Sequence, residues 1–263
     1  MQHDVFQEAG AYEQYVGRWS RVLTPNFVRW LTVPLQGQWL DVGCGTGALT
    51  EAILANAFPK SVIGIDPSSA FVAHASQAVR DPRVSFRVGN AMGLEFGNAT
   101  FDAAAAALVL NFVPDPNTAV LEMRRVVRPG GRVGACVWDY AGGMRMMRAF
   151  WDAAVELDPA AAALDEGHRF LIARPDALQA CFFGAGLRQV EMLPFDVEMV
   201  FRDFDDYWKP FLGGQAPAPA YAMSLAQEQR DALAGRIREK LTPEPDGSIH
   251  MTSRAWAAKG TVA

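Results

Sequence analysis

No basic stripe runs through this chain. Its 263 residues hold 24 Lys and Arg against 29 Asp and Glu, a net charge of −5, and the basic residues are scattered. Nucleic-acid binders draw most of their affinity from neutralised phosphates and show a basic face, so neither DNA nor RNA is an expected partner. Long apolar runs are missing too. The alanine-rich stretch from Phe101 to Val113 is too short to span a bilayer, so no membrane span is expected. Residues Met1 to Glu8 lack the positive segment and apolar run of a signal peptide, which points to a cytoplasmic protein. Cysteine is limited to Cys44, Cys136 and Cys181, an odd number with no CxxC pairing. That excludes a disulfide framework and leaves reduced, mostly buried thiols. No metal-ligand spacing, no Ser/His/Asp arrangement and no internal repeat is found.

What is present is a chain long enough, and at 50% hydrophobic apolar enough, for one large α/β domain. From Gln38 onward short apolar strands alternate with amphipathic helices. Expected strands are Trp39–Val42, Ser61–Ile65, Val84–Val88, Phe101–Leu108 and Arg132–Trp138, and expected helices are Ala48–Ala57, Ser69–Val79 and Pro116–Val127. Such alternation predicts a parallel sheet covered on both faces, with ligands beyond the carboxyl ends of its strands. After Tyr140 the pattern loosens. It reads as a helix over Met144–Leu157, an alanine-rich connection over Asp158–Arg169 and a helix over Pro175–Phe183. A strand over Leu187–Pro194, a linker over Gly213–Ala220, a charged helix over Ser224–Leu241 and a last strand over Ile249–Lys259 complete it. Residues 1–37 read as a helical extension, with Tyr12, Tyr15, Trp19, Val22 and Leu23 at helical spacing and Phe27, Trp30 and Leu31 repeating it after Pro25.

The first strand runs into Leu40-Asp41-Val42-Gly43-Cys44-Gly45-Thr46-Gly47, a GxGxG turn that opens a helix. Glycine is needed where φ is positive or a backbone must approach a ligand closely, and the helix start offers unpaired N–H groups. Alone, such a turn also suits a dinucleotide. Nineteen residues after Gly47 comes Asp66, ending the second strand. A carboxylate there can accept from both hydroxyls of a ribose; it can also cap the helix opened by Asp66-Pro67-Ser68-Ser69. If Ser68 or Ser69 caps, the carboxylate is left free. Gly89-Asn90-Ala91-Met92 follows the third strand. Phe101-Asp102-Ala103 leads to Leu108-Val109-Leu110-Asn111-Phe112-Val113, and a helix ends at Arg128 before Pro129-Gly130-Gly131. Asp102, at the far end of its strand, reads as structural.

These five segments, in this order and spacing, resemble the class I S-adenosylmethionine-dependent methyltransferases of the type 11 kind, relatives of the ubiquinone and menaquinone biosynthesis enzymes. The resemblance covers residues 35–140 tightly and the rest loosely. It implies a doubly wound, Rossmann-like α/β fold with a seven-stranded, mostly parallel sheet, whose last strand runs antiparallel beside the sixth. A lid over 1–37 and a methyltransferase domain over 38–263, with 195–248 inserted between those strands, follow from it. It implies S-adenosyl-L-methionine as cofactor and a small-molecule methyl acceptor. By that resemblance Gly43, Cys44, Gly45 and Gly47 lie beside the methionine part, with Asp41 holding the turn, and Asp66 binds the ribose. Pro67 and Ser68 flank the adenine, Asn90, Ala91 and Met92 meet its edge, and Asn111 lies near the sulfonium and the acceptor. The family usually has Asp where this chain has Asn90. An amide oxygen still accepts from the adenine amino group, without charge assistance.

Methyl transfer from a sulfonium is an in-line displacement that works mainly by positioning, with a base needed only if the nucleophile must lose a proton. Tyr12, Tyr15, Arg18 and Trp19 are candidates for folding over the cofactor, Arg18 among its contacts, their alternative being a helix packed on the sheet. Trp138, Asp139 and Tyr140 end the fifth strand on the ligand side, and Asp165, Glu166, His168 and Arg169 can border a pocket. His168, Asn111 and Tyr15 are the catalytic candidates, although a plain surface histidine also explains His168; His3, His74 and His250 read as surface residues. Phe204, Tyr207, Trp208 and Phe211 form a helical aromatic stripe that reads as core. Two other readings remain: a nicotinamide-dependent oxidoreductase, disfavoured by GxGxG and Asn90-Ala91, and a non-methylating protein that binds the cofactor.

Overall fold

The computed structural model describes Gly10, residues 13–214 and residues 216–263; the readings placed on His3 and Tyr12 lie outside them. Seven strands form one sheet: β1 (Gln38–Val42), β2 (Ser61–Asp66), β3 (Val84–Val88), β4 (Phe101–Ala107), β5 (Val127–Trp138), β6 (Arg188–Phe201) and β7 (Ile249–Thr261). Their order is β3-β2-β1-β4-β5-β7-β6. The first five pair in parallel, and β7 runs antiparallel between β5 and β6. This is the expected doubly wound, Rossmann-like sheet. Strand order reverses between β1 and β4, which places the crevice for a ligand above their carboxyl ends.

β1 and β4 are buried at successive positions, including Leu40, Asp41, Val42 and Ala103 to Ala106. A strand buried on consecutive residues has both faces covered. On one face the helix Arg18–Leu31 packs against the helix Ala48–Ala57 and over β5. There Gly134 leaves room for Leu31 and Phe27, since a Cβ on it would stand 2.3 Å from Leu31 Cδ2. Elsewhere the helix Pro116–Val126 packs against Pro175–Gly184. Asp102 is structural, as read from sequence: its Oδ2 accepts from the Gln38 N–H at 2.7 Å and its Oδ1 from Arg128 at 2.6 Å.

Four elements differ from expectation. The helix Arg18–Leu31 continues unbroken through Pro25; a mid-helix proline costs about 3 kcal/mol, which burial of Trp19, Leu23, Phe27, Val28 and Leu31 offsets. Val22 sits on the outer side of that helix, 49% exposed, because the buried stripe follows Trp19, Leu23 and Phe27. β6 runs seven residues past Pro194, to Phe201. Pro194 is tolerated because β6 is the sheet's edge strand, and the segment joining β6 to β7 is therefore 202–248. Within the expected linker, Pro217–Ser224 is helical. Proline presets the first helical turn, and Tyr221 packs on Phe150 and Trp151. The charged helix then begins at Gln227.

Candidate cofactor and acceptor site

The glycine turn needs its glycines for two separate reasons. Gly43, Gly45 and Gly47 have φ of 72°, 51° and 95°, where L side chains are strained. A Cβ on Gly43 would also lie 2.4 Å from Val109 Cγ2, so only glycine lets the turn lean on the loop leaving β4. The N–H groups of Gly43 and Cys44 both donate to Ile65 O at 2.8 Å, tying the turn to the end of β2. Behind it Asp41 is fully buried. Its Oδ2 accepts from Thr50 Oγ1 at 2.6 Å, and its Oδ1 has no partner among the described residues. Burial pushes the Asp41 carboxyl up to about 7, opposed by the Thr50 hydrogen bond and helped by the charge of Asp66. Cys44 stays a thiol, raised by burial and by the Asp41 and Asp66 charges.

Asp66 is not the free carboxylate foreseen. Ser68 does cap the following helix, its Oγ accepting from Phe71 N at 3.4 Å. Yet Asp66 Oδ1 accepts from Ser68 N at 2.9 Å and Oδ2 from Gly45 N at 3.0 Å. A carboxylate has about four acceptor positions, so the glycine turn uses one and the helix start another, and two remain. Burial raises the Asp66 carboxyl, and those two N–H groups lower it. Gly89 N donates to Asp66 O at 3.1 Å, which brings the Gly89–Met92 loop to the same rim. There Asn90 is exposed and its Oδ1 accepts from Met92 N at 2.9 Å. Pro67 is exposed, and Ser68 and Ala91 are half-buried.

At the exit of β4 the chain is strained. Leu108, a branched residue, holds φ at 60°, and its N–H donates to Cys136 O at 2.7 Å. Asn111 follows in the short turn Leu110–Phe112. It is buried, and neither atom of its amide has a partner among the described residues. A buried unpaired amide costs about 1–3 kcal/mol, so both of its polar atoms stand open to a further partner.

Leu108 and Phe112 also line a chamber closed by Tyr15, Trp138, Tyr140, Met147 and Glu166. The space left is about 10 Å³, room for about one water. Tyr15 donates its hydroxyl to Met147 Sδ at 3.0 Å. Burial, then the charge of Glu166, pushes its phenol well above the usual value, and its ring walls the chamber. Glu166 Oε2 accepts from Trp151 Nε1 at 2.7 Å.

Other expected residues go elsewhere. Arg18 pairs with Asp206 at 3.0 Å and lies over Trp19 and Phe201, lining an outer cleft with Glu13, Asp203 and Lys209 and not the glycine turn. His168 is 68% exposed in its side chain, its Nδ1 3.2 Å from Ala162 O. It borders a surface cleft with Arg148 and Arg174, outside the chamber. Tyr207, Trp208 and Phe211 are core, as read. The residue missed is Glu13. It accepts from the Thr46 hydroxyl inside the glycine turn and from Arg21 at 3.2 Å. Separated from Thr46 by 33 positions, it gave no signal of its own in the sequence.

Comparison with known proteins agrees with this geometry. Residues 40–135 match a family described as a methyltransferase domain. A demethylmenaquinone methyltransferase of Bacillus subtilis is 43% identical over 99 residues, 36% of this chain and 42% of that protein. An O-methyltransferase of Aspergillus sclerotiorum is 40% identical over 98 residues, 36% of this chain and 37% of its own length. The chain thus spans less than half the length of these relatives. In three dimensions it is similar to a putative methyltransferase of Bacillus halodurans, with TM-score 0.62 and 16% identity, over 91% of this chain and 98% of that one. Residues 40–135 are thus similar to a methyltransferase domain, and the chain shares the fold of that solved structure.

Proposed function

We propose that the chain transfers a methyl group from S-adenosylmethionine to a small molecule. The observation that carries this reading is the meeting, at one rim of the sheet, of three left-handed glycines, the buried Asp66 carboxylate and the unpaired Asn111 amide. When bound, the cofactor supplies an activated methyl group. Gly43, Gly45 and Gly47 would flank its methionine part, and the two open acceptor positions of Asp66 its ribose. Asn90, Ala91, Met92, Pro67 and Ser68 would border the adenine, and Asn111 would orient whatever lies beside the reacting carbon. Cys44 contributes packing and Asp41 the support of the turn. No described residue needs to act as a strong base for this, because alignment alone supplies roughly 7–11 kcal/mol. Residues up to 37 and residues 202–248 would cover the acceptor.

The test is calorimetric. Asp66→Ala should weaken S-adenosylhomocysteine binding by about 1–3 kcal/mol, because charged acceptors of hydrogen bonds are lost. Equal affinity in a folded Asp66→Ala protein removes Asp66 from the site. A parent protein that binds neither S-adenosylmethionine nor S-adenosylhomocysteine overturns the proposal.

A further inference from the structure

A seam of side-chain contacts ties the π-helical turn Glu13–Gly17 and the helix after it to the glycine turn. Thr46, inside the glycine turn, is 2% exposed. A hydroxyl has one proton to give, and Thr46 gives it to Glu13 Oε1. Arg21 reaches the same carboxylate, its Nη2 3.2 Å from Oε1 and its Nε 3.3 Å from Oε2. Its Nη1 donates to Glu51, in the first turn of the helix that the glycine turn opens. Three residues on, Thr24 Oγ1 donates to Ala48 O at 3.3 Å, where that helix begins. The seam therefore meets the glycine turn both in its loop and at its helix start.

Glycine at position 17 serves this seam and not the backbone. Its φ of −59° is ordinary helical geometry, open to any residue. A Cβ there, however, would stand 2.9 Å from Glu13 Cδ and 3.1 Å from both carboxylate oxygens. The Glu13 carboxylate thus lies folded over the bare Cα of Gly17, and in that seat it meets Thr46. Between these two residues Tyr15 and Val16 leave the same turn to form part of the chamber wall. Such π-helical turns concentrate at functional positions. The space behind the wall is about 10 Å³, room for about one water, so with Glu13 on Thr46 the chamber is shut.

Resting on the methyl-transfer reading above, we infer that Glu13 is a positioning residue that couples the cofactor turn to the wall of the chamber. A cofactor seated on the glycine turn fixes Thr46, and Thr46 fixes the Glu13 carboxylate. The short turn Glu13–Gly17 then holds Tyr15 and Val16 in their closed place. Coupling between two sites is reciprocal. A glycine turn released from Glu13 binds the cofactor less tightly, and an empty glycine turn leaves the wall easier to open. A closed wall keeps water from the activated methyl group, and an opened one admits the acceptor.

The test takes S-adenosylhomocysteine as probe and hydrogen exchange of residues 13–21 as readout. In the parent protein, saturation with S-adenosylhomocysteine should slow exchange of this segment at least about fivefold, the lower end of ordinary coupling between sites. Gly17→Ala deletes no hydrogen-bonding group, and alanine suits a helix better than glycine; it only pushes the carboxylate off its seat. That variant should melt at the parent temperature or above, a readout that a merely structural role of Glu13 would lower. It should nevertheless lose the slowing and bind S-adenosylhomocysteine about fivefold more weakly. Thr46→Val, which deletes the hydroxyl, should do the same. The double variant should bind no more weakly than either single one, since both changes break one contact. Slowing that persists in either folded variant overturns the coupling. So does S-adenosylhomocysteine that binds the parent without slowing the segment, a result that needs no variant and leaves the methyl-transfer reading standing. A parent that binds neither cofactor form overturns that reading, and the coupling with it.

Discussion

Asp41→Asn should make the protein more stable than the parent at pH 8 and flatten the fall of stability between pH 4 and 7. The sign follows from where the proton sits. Burial raises the folded carboxyl to about 7 from 3.8, so between those values the folded chain keeps a proton that the unfolded chain has released. Stability is then fully present below about pH 4 and lost as pH rises through about 7. At about 1.4 kcal/mol per unit, the loss over those three or so units is roughly 4 kcal/mol. Asparagine keeps an acceptor for the Thr50 hydroxyl without the buried charge. Urea unfolding of both proteins at pH 4.5, 6 and 8 measures it. Parallel pH profiles for parent and variant would show that the Asp41 proton has no part in them.

Arg148→Ala should cost about 3 kcal/mol. Arg148 holds Asp165 through two parallel bonds of 2.8 and 2.7 Å, and donates to Tyr140 O at 3.0 Å. The Asp165 side chain is 4% exposed and that of Arg148 14%. Removing the guanidinium leaves a buried carboxylate without its counter-charge, the case in which a broken ion pair is most damaging. Asp165 also accepts from Gly167 N at 2.8 Å, so the strain reaches the neighbouring Glu166 and the chamber. The double variant Arg148→Ala/Asp165→Ala should recover part of the loss, as coupled pairs do. A single-variant loss below about 1 kcal/mol would mean that water replaces the arginine there. With the cofactor at the glycine turn, as proposed, binding of S-adenosylhomocysteine should persist in both folded Arg148 variants.

Much of this arrangement was legible in the residues. β1 to β5 could be placed within a few positions because buried parallel strands are short apolar runs set between helices with capping or proline starts, such as Asp115-Pro116. The glycine turn, Asp66 and Asn111 were legible because each serves a local backbone demand or stands at a strand end. What stayed hidden depends on distance along the chain. Glu13 on Thr46, Arg148 on Asp165 and Trp151 on Glu166 are pairings that no local pattern announces. The far half of β6 was hidden differently. Phe195, Val197, Met199 and Phe201 alternate with Asp196, Glu198 and Val200 in the period of a strand, but Pro194 breaks the run for a reader who does not know that the strand is an edge. Arg18 and His168 lie in clefts apart from the glycine turn, a placement the sequence does not show because aromatic company and a polar loop are common to clefts and to plain surfaces.

β5 pairs with β7 only from Ala255 to Thr261, whereas β6 accompanies β7 back to Ile249. The two strands therefore continue past the rim of the sheet as a ribbon, on the side where the glycine turn opens. A two-stranded ribbon is marginal in water, so its shape is borrowed from what leans on it: Met144 opposite Ser253, Trp19 against Phe201, and Tyr207 against the same ring. Its stiffness is thus shared with the helix Arg18–Leu31. In hydrogen exchange the amides near His250 and Thr252 should lose protection together with those of Trp19 and Ser20, well before Ala257 and Ala258. By this packing the overhang and the first helix form one mechanical part, tied to the sheet beyond β5 by Met144 opposite Ser253.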